Sequence, residues 1–219
     1  MASTSTAQAA PMPGRDCPLC PRLVDFREDN RRQFLDWHNA PVPDFGPATA
    51  PLLIVGLAPG LRGANRTGRP FTGDYAGDLL YETLLDFGLA AGRYEQRPDD
   101  GLTMTGCRIV NAVRCVPPQN KPTPAEIKTC NAFLRQDLTA MANVKSILAL
   151  GSIAHDAVLM AFGVRKSAYR FAHAAQHPLP NGIILTDSYH CSRYNTNTNR
   201  LTREMFRTAM KLAQAAAQG

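Results

Sequence analysis

The chain has 219 residues, 44% of them hydrophobic, which is enough to bury one substantial core and favours a single domain. With 24 Lys and Arg against 18 Asp and Glu the net charge is +6, a balance that suits a polyanionic partner and also occurs in ordinary soluble proteins. No apolar run approaches the roughly 20 residues that a membrane-spanning helix needs, and the start lacks the basic and apolar regions of a signal peptide. Composition therefore argues against a membrane or secreted protein and predicts an intracellular one.

The first segment of the chain, residues 1–14, is rich in Ser, Thr and Ala and contains no acidic residue. Because no Arg precedes Arg15, this composition favours a disordered tail over a transit peptide. Residues 15–219 contain no internal repeat and no interdomain linker, so we expect them to form a single domain.

Short apolar or β-branched runs alternate with helical patterns along this domain. The alternation predicts an α/β protein with a central, mainly parallel, four-stranded sheet covered on both faces by helices. The predicted strands are, in order, Leu52–Val55, Arg108–Val113, Ser146–Leu150 and Gly182–Thr186.

The clearest helix follows Thr123, which can cap it, with Pro124 at the first helical position and Glu126 completing a capping box. Its apolar residues recur at helical spacing and are Ile127, Cys130, Leu134, Leu138 and Met141. Further helices are predicted at about residues 75–87, ending at Gly88, at 152–162, ending at Gly163, and at 202–217.

The most informative segment follows the first predicted strand and reads Gly56-Leu-Ala-Pro-Gly60, then Asn65-Arg-Thr-Gly-Arg-Pro-Phe-Thr-Gly-Asp74. Glycines directly after a buried strand let a ligand approach main-chain N–H groups, which indicates a pocket for a phosphate or a base. Arg66 and Arg69 bracket the loop, Phe71 offers a flat apolar face, and the final Asp supplies a carboxylate. The alternative is an ordinary turn with solvated arginines and a core Phe.

The six cysteines of an intracellular protein are more often thiols or metal ligands than disulfides. Cys17 and Cys20 have the two-residue gap that aims both thiolates at one metal, whereas a stiff, proline-rich loop separates Cys115 from Cys130. Such a site fits zinc or a 4Fe–4S cluster, and the absence of tight spacing in the second pair favours iron and sulfur. Alternatively, the first two cysteines form an isolated pair and the other two are core residues.

A polar segment follows the fourth predicted strand, at the sheet edge where ligands bind in such folds. His190 in this segment is expected to face the same crevice as Gly56–Gly60, because both follow parallel strands at the same end. Arg193, Tyr194, Asn195 and Asn197 either enter a groove of a nucleic acid and contact phosphates or form a solvated loop. The remaining cysteines and histidines are interpreted as structural, namely Cys107, Cys191, His38, His155, His173 and His177.

These motifs together resemble the uracil-DNA glycosylase superfamily, and most closely its iron–sulfur family 5 branch, the B type. The resemblance spans roughly residues 50–210 and, beyond the glycine segment, includes Ala112-Val-Arg-Cys-Val-Pro-Pro-Gln-Asn-Lys-Pro-Thr-Pro124 and Ser188-Tyr-His-Cys-Ser-Arg-Tyr-Asn-Thr-Asn-Thr198. Cys17 and Cys20 extend it towards the N-terminus.

The resemblance implies a three-layer α/β/α fold and excision of uracil and other deaminated bases, such as hypoxanthine and xanthine, from double- and single-stranded DNA. It implies a 4Fe–4S cluster on the four cysteines named above, and a cytoplasmic enzyme of the bacterial cytosol or nucleoid that we expect to be monomeric. The implied catalytic residues are Asp74, Asn120 and His190. The implied base-binding residues are Gly56, Ala58, Gly60, Phe71 and Asn111, and the implied DNA contacts are Arg62, Arg66, Arg69, Arg193, Tyr194 and Asn195.

Two other classes of protein compete with this interpretation. A non-catalytic nucleic-acid-binding module would use the same basic loops with a structural zinc. A nucleotide-binding enzyme would place a cofactor phosphate at the glycine loop, but the chain lacks Gly-x-Gly-x-x-Gly after the strand and lacks a Walker Lys.

Overall fold

The computed structural model describes residues 12–219, so most of the predicted disordered tail lies outside the described residues. In chain order the elements are α1 (Pro21–Gln33), β1 (Leu52–Gly56), α2 (Ala64–Thr67), α3 (Tyr75–Asp86), β2 (Ala90–Ala91), β3 (Thr103–Met104), β4 (Cys107–Asn111), α4 (Pro124–Ala140), β5 (Ser146–Leu150), α5 (Ser152–Phe162), β6 (Gln176–Pro178), β7 (Ile184–Ser188), α6 (Arg193–Asn197) and α7 (Arg203–Gln218).

The central sheet has the strand order β4-β1-β5-β7-β6, with β4, β1, β5 and β7 parallel and β6 antiparallel at one edge. The predicted α/β class and the four parallel strands are confirmed. The prediction of a four-stranded sheet is wrong, because the sheet has a fifth strand, β6, at its edge. That strand has three residues and ends in a proline, which is tolerated at a sheet edge but leaves no alternating pattern to recognise.

Helices cover both faces of the sheet, because successive side chains of each buried strand point to opposite sides. Leu52 and Ile54 of β1 pack in one core with α3 and α7, through residues such as Leu84 and Phe206. Their neighbours Leu53 and Val55 pack in a second core with α4 and α5, through residues that include Leu134 and Val158. The fold is therefore a three-layer α/β/α arrangement.

The helix ends follow the predicted local chemistry. The Thr123 side chain accepts the Glu126 N–H at 3.2 Å, and the Glu126 carboxylate accepts the Thr123 N–H at 2.7 Å, which completes the capping box. Helix α5 ends where Gly163 adopts a φ of +68°, a left-handed conformation that favours glycine.

Helix α1 was not predicted, because its sequence is mostly charged and it buries only Leu23, Arg27 and Asn30. Tertiary contacts rather than an apolar stripe hold it in place. None of the helices in residues 12–219 is both long and apolar enough to cross a membrane.

Candidate active site

The loops that follow the parallel strands meet at the carboxyl edge of the sheet and enclose a cavity of about 440 Å³. The cavity brings together the three predicted catalytic residues, Asp74, Asn120 and His190. Its other predicted lining residues are Ala58, Gly60, Phe71, Asn111 and Arg193. Residues far apart in the chain converge here because β1, β4 and β7 run in the same direction and end at the same edge.

Gly56, the last residue of β1, does not line this cavity but lies next to residues that do. It pairs with Asn111 across β1 and β4, and a Cβ at position 56 would collide with the Asn111 Oδ1 and lie 2.6 Å from the Phe71 ring. Phe71 itself has a φ of +56°, and the Tyr94 hydroxyl donates to its carbonyl oxygen at 3.2 Å. Glycine at position 56 is thus required so that Phe71 and Asn111 can lie side by side.

The Asp74 carboxylate lies against two glycines. A Cβ at either Gly60 or Gly63 would overlap the Asp74 carboxyl group. Asp74 occupies the N-cap position of α3, yet its side chain makes no capping hydrogen bond, so the carboxylate is committed to the cavity instead. Burial raises the pKa of Asp74, and a main-chain N–H at Ala64 and the charge of Arg66 oppose this shift.

His190 is half-buried and stacks on Phe71, with ring centroids 6.0 Å apart and planes inclined by 30°. Burial lowers the pKa of His190 to about 4, so the imidazole is neutral at neutral pH. No hydrogen bond from residues 12–219 reaches either ring nitrogen, which leaves its single N–H free to donate to a ligand. The loop is held by Asn195, whose Nδ2 donates to the His190 carbonyl oxygen at 2.8 Å.

Two amides face the cavity from different depths. Asn111 is only 3% exposed, and its Oδ1 has no hydrogen-bond partner in the part of the chain that the structure describes. Leaving such a group unpaired costs about 1–3 kcal/mol, so the geometry indicates a ligand that supplies the missing donor. Asn120 is exposed at the rim, where it and Gln119 both have positive φ angles of +56° and +57°.

The predicted DNA-contacting arginines fall into two groups. Arg62, Arg66 and Arg193 are exposed, and the Arg193 guanidinium lies 5.1 Å from the centre of the Tyr75 ring at the cavity. Arg69 is 5% exposed and donates to both oxygens of Asp100 at 2.8 and 2.7 Å. The prediction of a phosphate contact by Arg69 is therefore wrong, because its charge is buried and already paired.

Helix α6 contributes residues that differ in their exposure to solvent. Tyr194 is 72% exposed, whereas Asn195 is half-buried and holds the loop through the bond to His190 described above. Tyr75 and Ser192 also line the cavity but were not predicted. Their signal in the sequence is adjacency, since Tyr75 directly follows Asp74 and Ser192 lies two residues after His190.

All four predicted metal-binding cysteines line one further cavity, together with Pro13 and Arg27. Cys130 Sγ accepts the main-chain N–H of Arg114 at 3.4 Å, and Arg27 Nη1 lies 4.0 Å from Cys115 Sγ. The Nε of Arg27 is buried without a hydrogen-bond partner among the described residues. The guanidinium lies 3.7 Å from the Glu28 carboxylate, and its position beside the Cys115 sulfur fits an anionic group held by thiolates.

The spacing of these sulfurs bears on which group they hold. Tetrahedral zinc with Zn–S bonds of about 2.3 Å brings its sulfurs to about 3.8 Å from one another. Within residues 12–219, no three cysteine sulfurs lie within 4.8 Å of one another. The four cysteine sulfurs are thus spread more widely than the sulfurs of a tetrahedral zinc site.

The fold and the cavity define an α/β protein with an enzyme-like site, because a half-buried carboxylate, a neutral imidazole and an aromatic face line one cavity. The profile of the Uracil DNA glycosylase superfamily matches residues 43–214. The type-5 uracil-DNA glycosylase of Thermus thermophilus is 48% identical over 206 residues, 92% of this chain and 94% of its own. That of Mycobacterium leprae is 44% identical over 211 residues (90% and 91%), and that of Pyrobaculum aerophilum 37% over 206 (92% and 89%).

The chain therefore belongs to the uracil-DNA glycosylase superfamily, and the three relatives named above are of type 5, as the motifs predicted.

Proposed function

We propose that this protein is a DNA glycosylase that extrudes uracil from DNA and hydrolyses its N-glycosidic bond. The observation that carries the proposal is the presence, in one cavity, of the Asp74 carboxylate, the neutral imidazole of His190 and the ring of Phe71. Its relatives of similar length are named as uracil-DNA glycosylases, which supports the same activity here.

The reaction builds positive charge on the sugar and negative charge on the departing base, so the site needs an anion on one side and donors on the other. Asp74 supplies the anion, which stabilises the sugar cation or directs the attacking water. His190 donates its N–H to the base, and because its pKa lies near 4 it acts as a neutral hydrogen-bond donor rather than a cationic acid. Main-chain N–H groups near Ala58–Gly60 provide further donors.

Base recognition falls to Asn111 and Phe71. An amide offers one acceptor and two donor hydrogens, which suit the adjacent C=O and N–H that uracil, hypoxanthine and xanthine have in common. The cavity wall includes Ala58, Ala64 and Ala76, whose small side chains leave room for a purine. These features support excision of deaminated purines as well as uracil.

Extrusion of a base costs a few kcal/mol, least for a mispaired or unpaired base, so both double- and single-stranded DNA are substrates on this proposal. The exposed Arg193 lines the cavity and is placed to contact a phosphate there. Arg62 and Arg66 are exposed on the segment between β1 and α3, from which we expect them to reach phosphates of the same DNA. The chain as a monomer holds every residue assigned to the reaction.

The four cysteines would hold a 4Fe–4S cluster, which when bound supplies a structural cross-link. Their wide spacing and the Arg27 guanidinium beside the Cys115 sulfur support this cofactor. Cys115 and Cys130 flank the loop that brings Asn120 to the active-site cavity, so the cross-link would hold that loop to the N-terminal segment.

Two measurements test the proposal. Duplexes containing uracil, hypoxanthine or xanthine are incubated with the protein, and release of the free base is measured by chromatography. We expect release of each base, whereas binding of lesion DNA without release would indicate a non-catalytic module.

Iron and acid-labile sulfide with broad absorbance near 400 nm are expected in anaerobically purified protein. One zinc per chain without iron would overturn the cluster.

A further inference from the structure

A second groove, of about 460 Å³, lies on the other side of helix α2 from the active-site cavity. It contains Trp37, the only tryptophan of the chain, together with Arg15, Arg66 and Arg97. None of the functions assigned above uses Trp37, Arg15 or Arg97.

Trp37 presents a flat surface supported from behind. Its ring stacks on Phe34 with centroids 3.9 Å apart and planes inclined by 7°. Phe34 covers one face of the indole, and Trp37 is half-buried and lines the groove. A supported aromatic platform of this kind is how proteins bind unpaired bases without reading their sequence, because every base has a π-face.

The platform is rigidly coupled to the active site through α2. The main-chain N–H groups of His38 and Asn39 donate to the carbonyl oxygens of Arg66 and Asn65 at 3.0 and 3.1 Å. The buried amides of Asn65 and Asn39 also bond to each other at 2.9 Å. Ala64 at the start of α2 lines the active-site cavity, whereas Arg66 lines the groove, so the two spaces lie within about one helical turn.

The charge of the groove fits a phosphate backbone. Arg15 and Arg66 have no carboxylate within 4.0 Å in the described part of the chain, whereas Arg97 is paired with Glu95 at 3.0 Å. Asp36 is the one acidic residue that lines the groove. Two unpaired arginines against one acid leave the groove positive, as a track for single-stranded nucleic acid requires.

We propose that this groove binds the DNA strand next to the extruded nucleotide, with one unpaired base stacked on Trp37 and phosphates held by Arg15 and Arg66. The inference rests on the proposed function, since it assigns the groove to the same DNA substrate. It gives the protein a contact that is available only where the flanking bases are unpaired, and so favours single-stranded or locally melted substrates.

The single tryptophan makes the contact directly observable in the wild-type protein. The probes are a single-stranded oligonucleotide with a central abasic-site analogue and its fully paired duplex. We expect the single strand to quench Trp37 emission and the duplex to quench it much less. Unchanged emission while the protein binds the single strand and still releases uracil would overturn the inference but leave the proposed function intact. Absence of uracil release by the wild-type protein would instead count against the function.

Substitutions provide the second arm. Trp37→Leu should weaken single-strand binding about 5- to 150-fold, the range given by the stacking of one base, and should affect duplex binding little. Leu35→Ala is the matched control, because Leu35 is 84% exposed nearby but does not line the groove. Arg15→Ala should flatten the salt dependence of single-strand binding by about 0.7 in log–log slope. Equal losses on single and double strands for Trp37→Leu, with unchanged thermal unfolding, would show that no unpaired base stacks there.

Discussion

The imidazole of His190 and the ring of Phe71 stack at 6.0 Å, so the aromatic face and the hydrogen-bond donor that we propose for the base lie side by side. Burial lowers the pKa of His190 to about 4, so the role proposed for it is donation of an N–H to the departing base, not transfer of a proton from an imidazolium.

We expect His190→Ala to slow single-turnover release of uracil by about 10²–10³, the cost of losing one donor to a developing anion. The loss should be smaller for 5-fluorouracil, whose ring is the better leaving group and needs less donor assistance. The measurement is the ratio of mutant to wild-type rates on the two substrates. An equal ratio would place His190 in binding rather than in stabilisation of the leaving group.

Asp74 and Asp78 lie one helical turn apart and allow a matched comparison. Asp74→Asn should slow single-turnover base release by about 10²–10⁴ with little change in affinity for lesion DNA. Asp78 accepts a hydrogen bond from Gln96 at 2.8 Å and does not line the active-site cavity, so Asp78→Asn should behave like wild type. The opposite result would show that the wrong carboxylate has been assigned.

The acid side of the pH–rate profile should report Asp74. The pKa of Asp74 is raised by burial, and only the carboxylate form can stabilise the sugar cation, so the rate should fall as the pH falls through that raised pKa. Arg66 opposes the shift, so Arg66→Ala should move the acid limb to higher pH. Arg62→Ala is the control, because it removes the same charge from a residue that is not among the causes of the pKa shift of Asp74. An acid limb of the pH–rate profile that moved equally in both variants would contradict the assignment of this limb to Asp74.

A buried ion pair makes stability depend on pH. His155 Nδ1 lies 2.7 Å from Asp187 Oδ1, and its Nε2 lies 3.0 Å from the Tyr169 carbonyl oxygen. Both partners are acceptors, so the protonated imidazolium satisfies both bonds. Burial opposes this charge, but the hydrogen bond to Asp187 and its negative charge outweigh burial and raise the pKa of His155.

A group with a raised folded-state pKa stabilises the protein fully below its unfolded value of about 6.5, and this contribution is lost as the pH rises through the folded value. The free energy of unfolding measured in urea should therefore decline from pH 6 towards alkaline pH. His155→Gln should lower stability at pH 6 and remove that part of the decline. The other titratable groups that face His155, besides Asp187, are His177, whose ring centroid lies 5.4 Å away, and Asp156.

The exposed and buried arginines should behave differently in salt. Arg193→Ala should flatten the salt dependence of duplex binding by about 0.9 in log–log slope, because one phosphate contact is lost. Arg69→Ala should leave the slope unchanged but destabilise the fold by about 3–5 kcal/mol, because Asp100 would remain buried without its partner. A changed slope for Arg69→Ala in protein that is still folded would restore it as a phosphate contact.

Structural features that depend on residues close together in the chain could be predicted from the sequence. The capping box at Thr123 and the glycine end of α5 at Gly163 arise from residues within one turn, so local patterns predict them. The common crevice of His190 and Gly56–Gly60 was also predictable, because the ends of parallel strands meet at one edge of a sheet. The family motifs added the role of each residue.

The ion pairs and hydrogen bonds between residues that are distant in the chain became known from the folded structure alone. Arg69 reads as a free cation until Asp100, 31 positions later, is folded against it. Local patterns likewise do not predict the pairing of His155 with Asp187, 32 positions later. Nor do they predict that Trp37 and Arg66 line the same groove. Hydrogen bonds and burial act through space, whereas sequence patterns report only what is close along the chain.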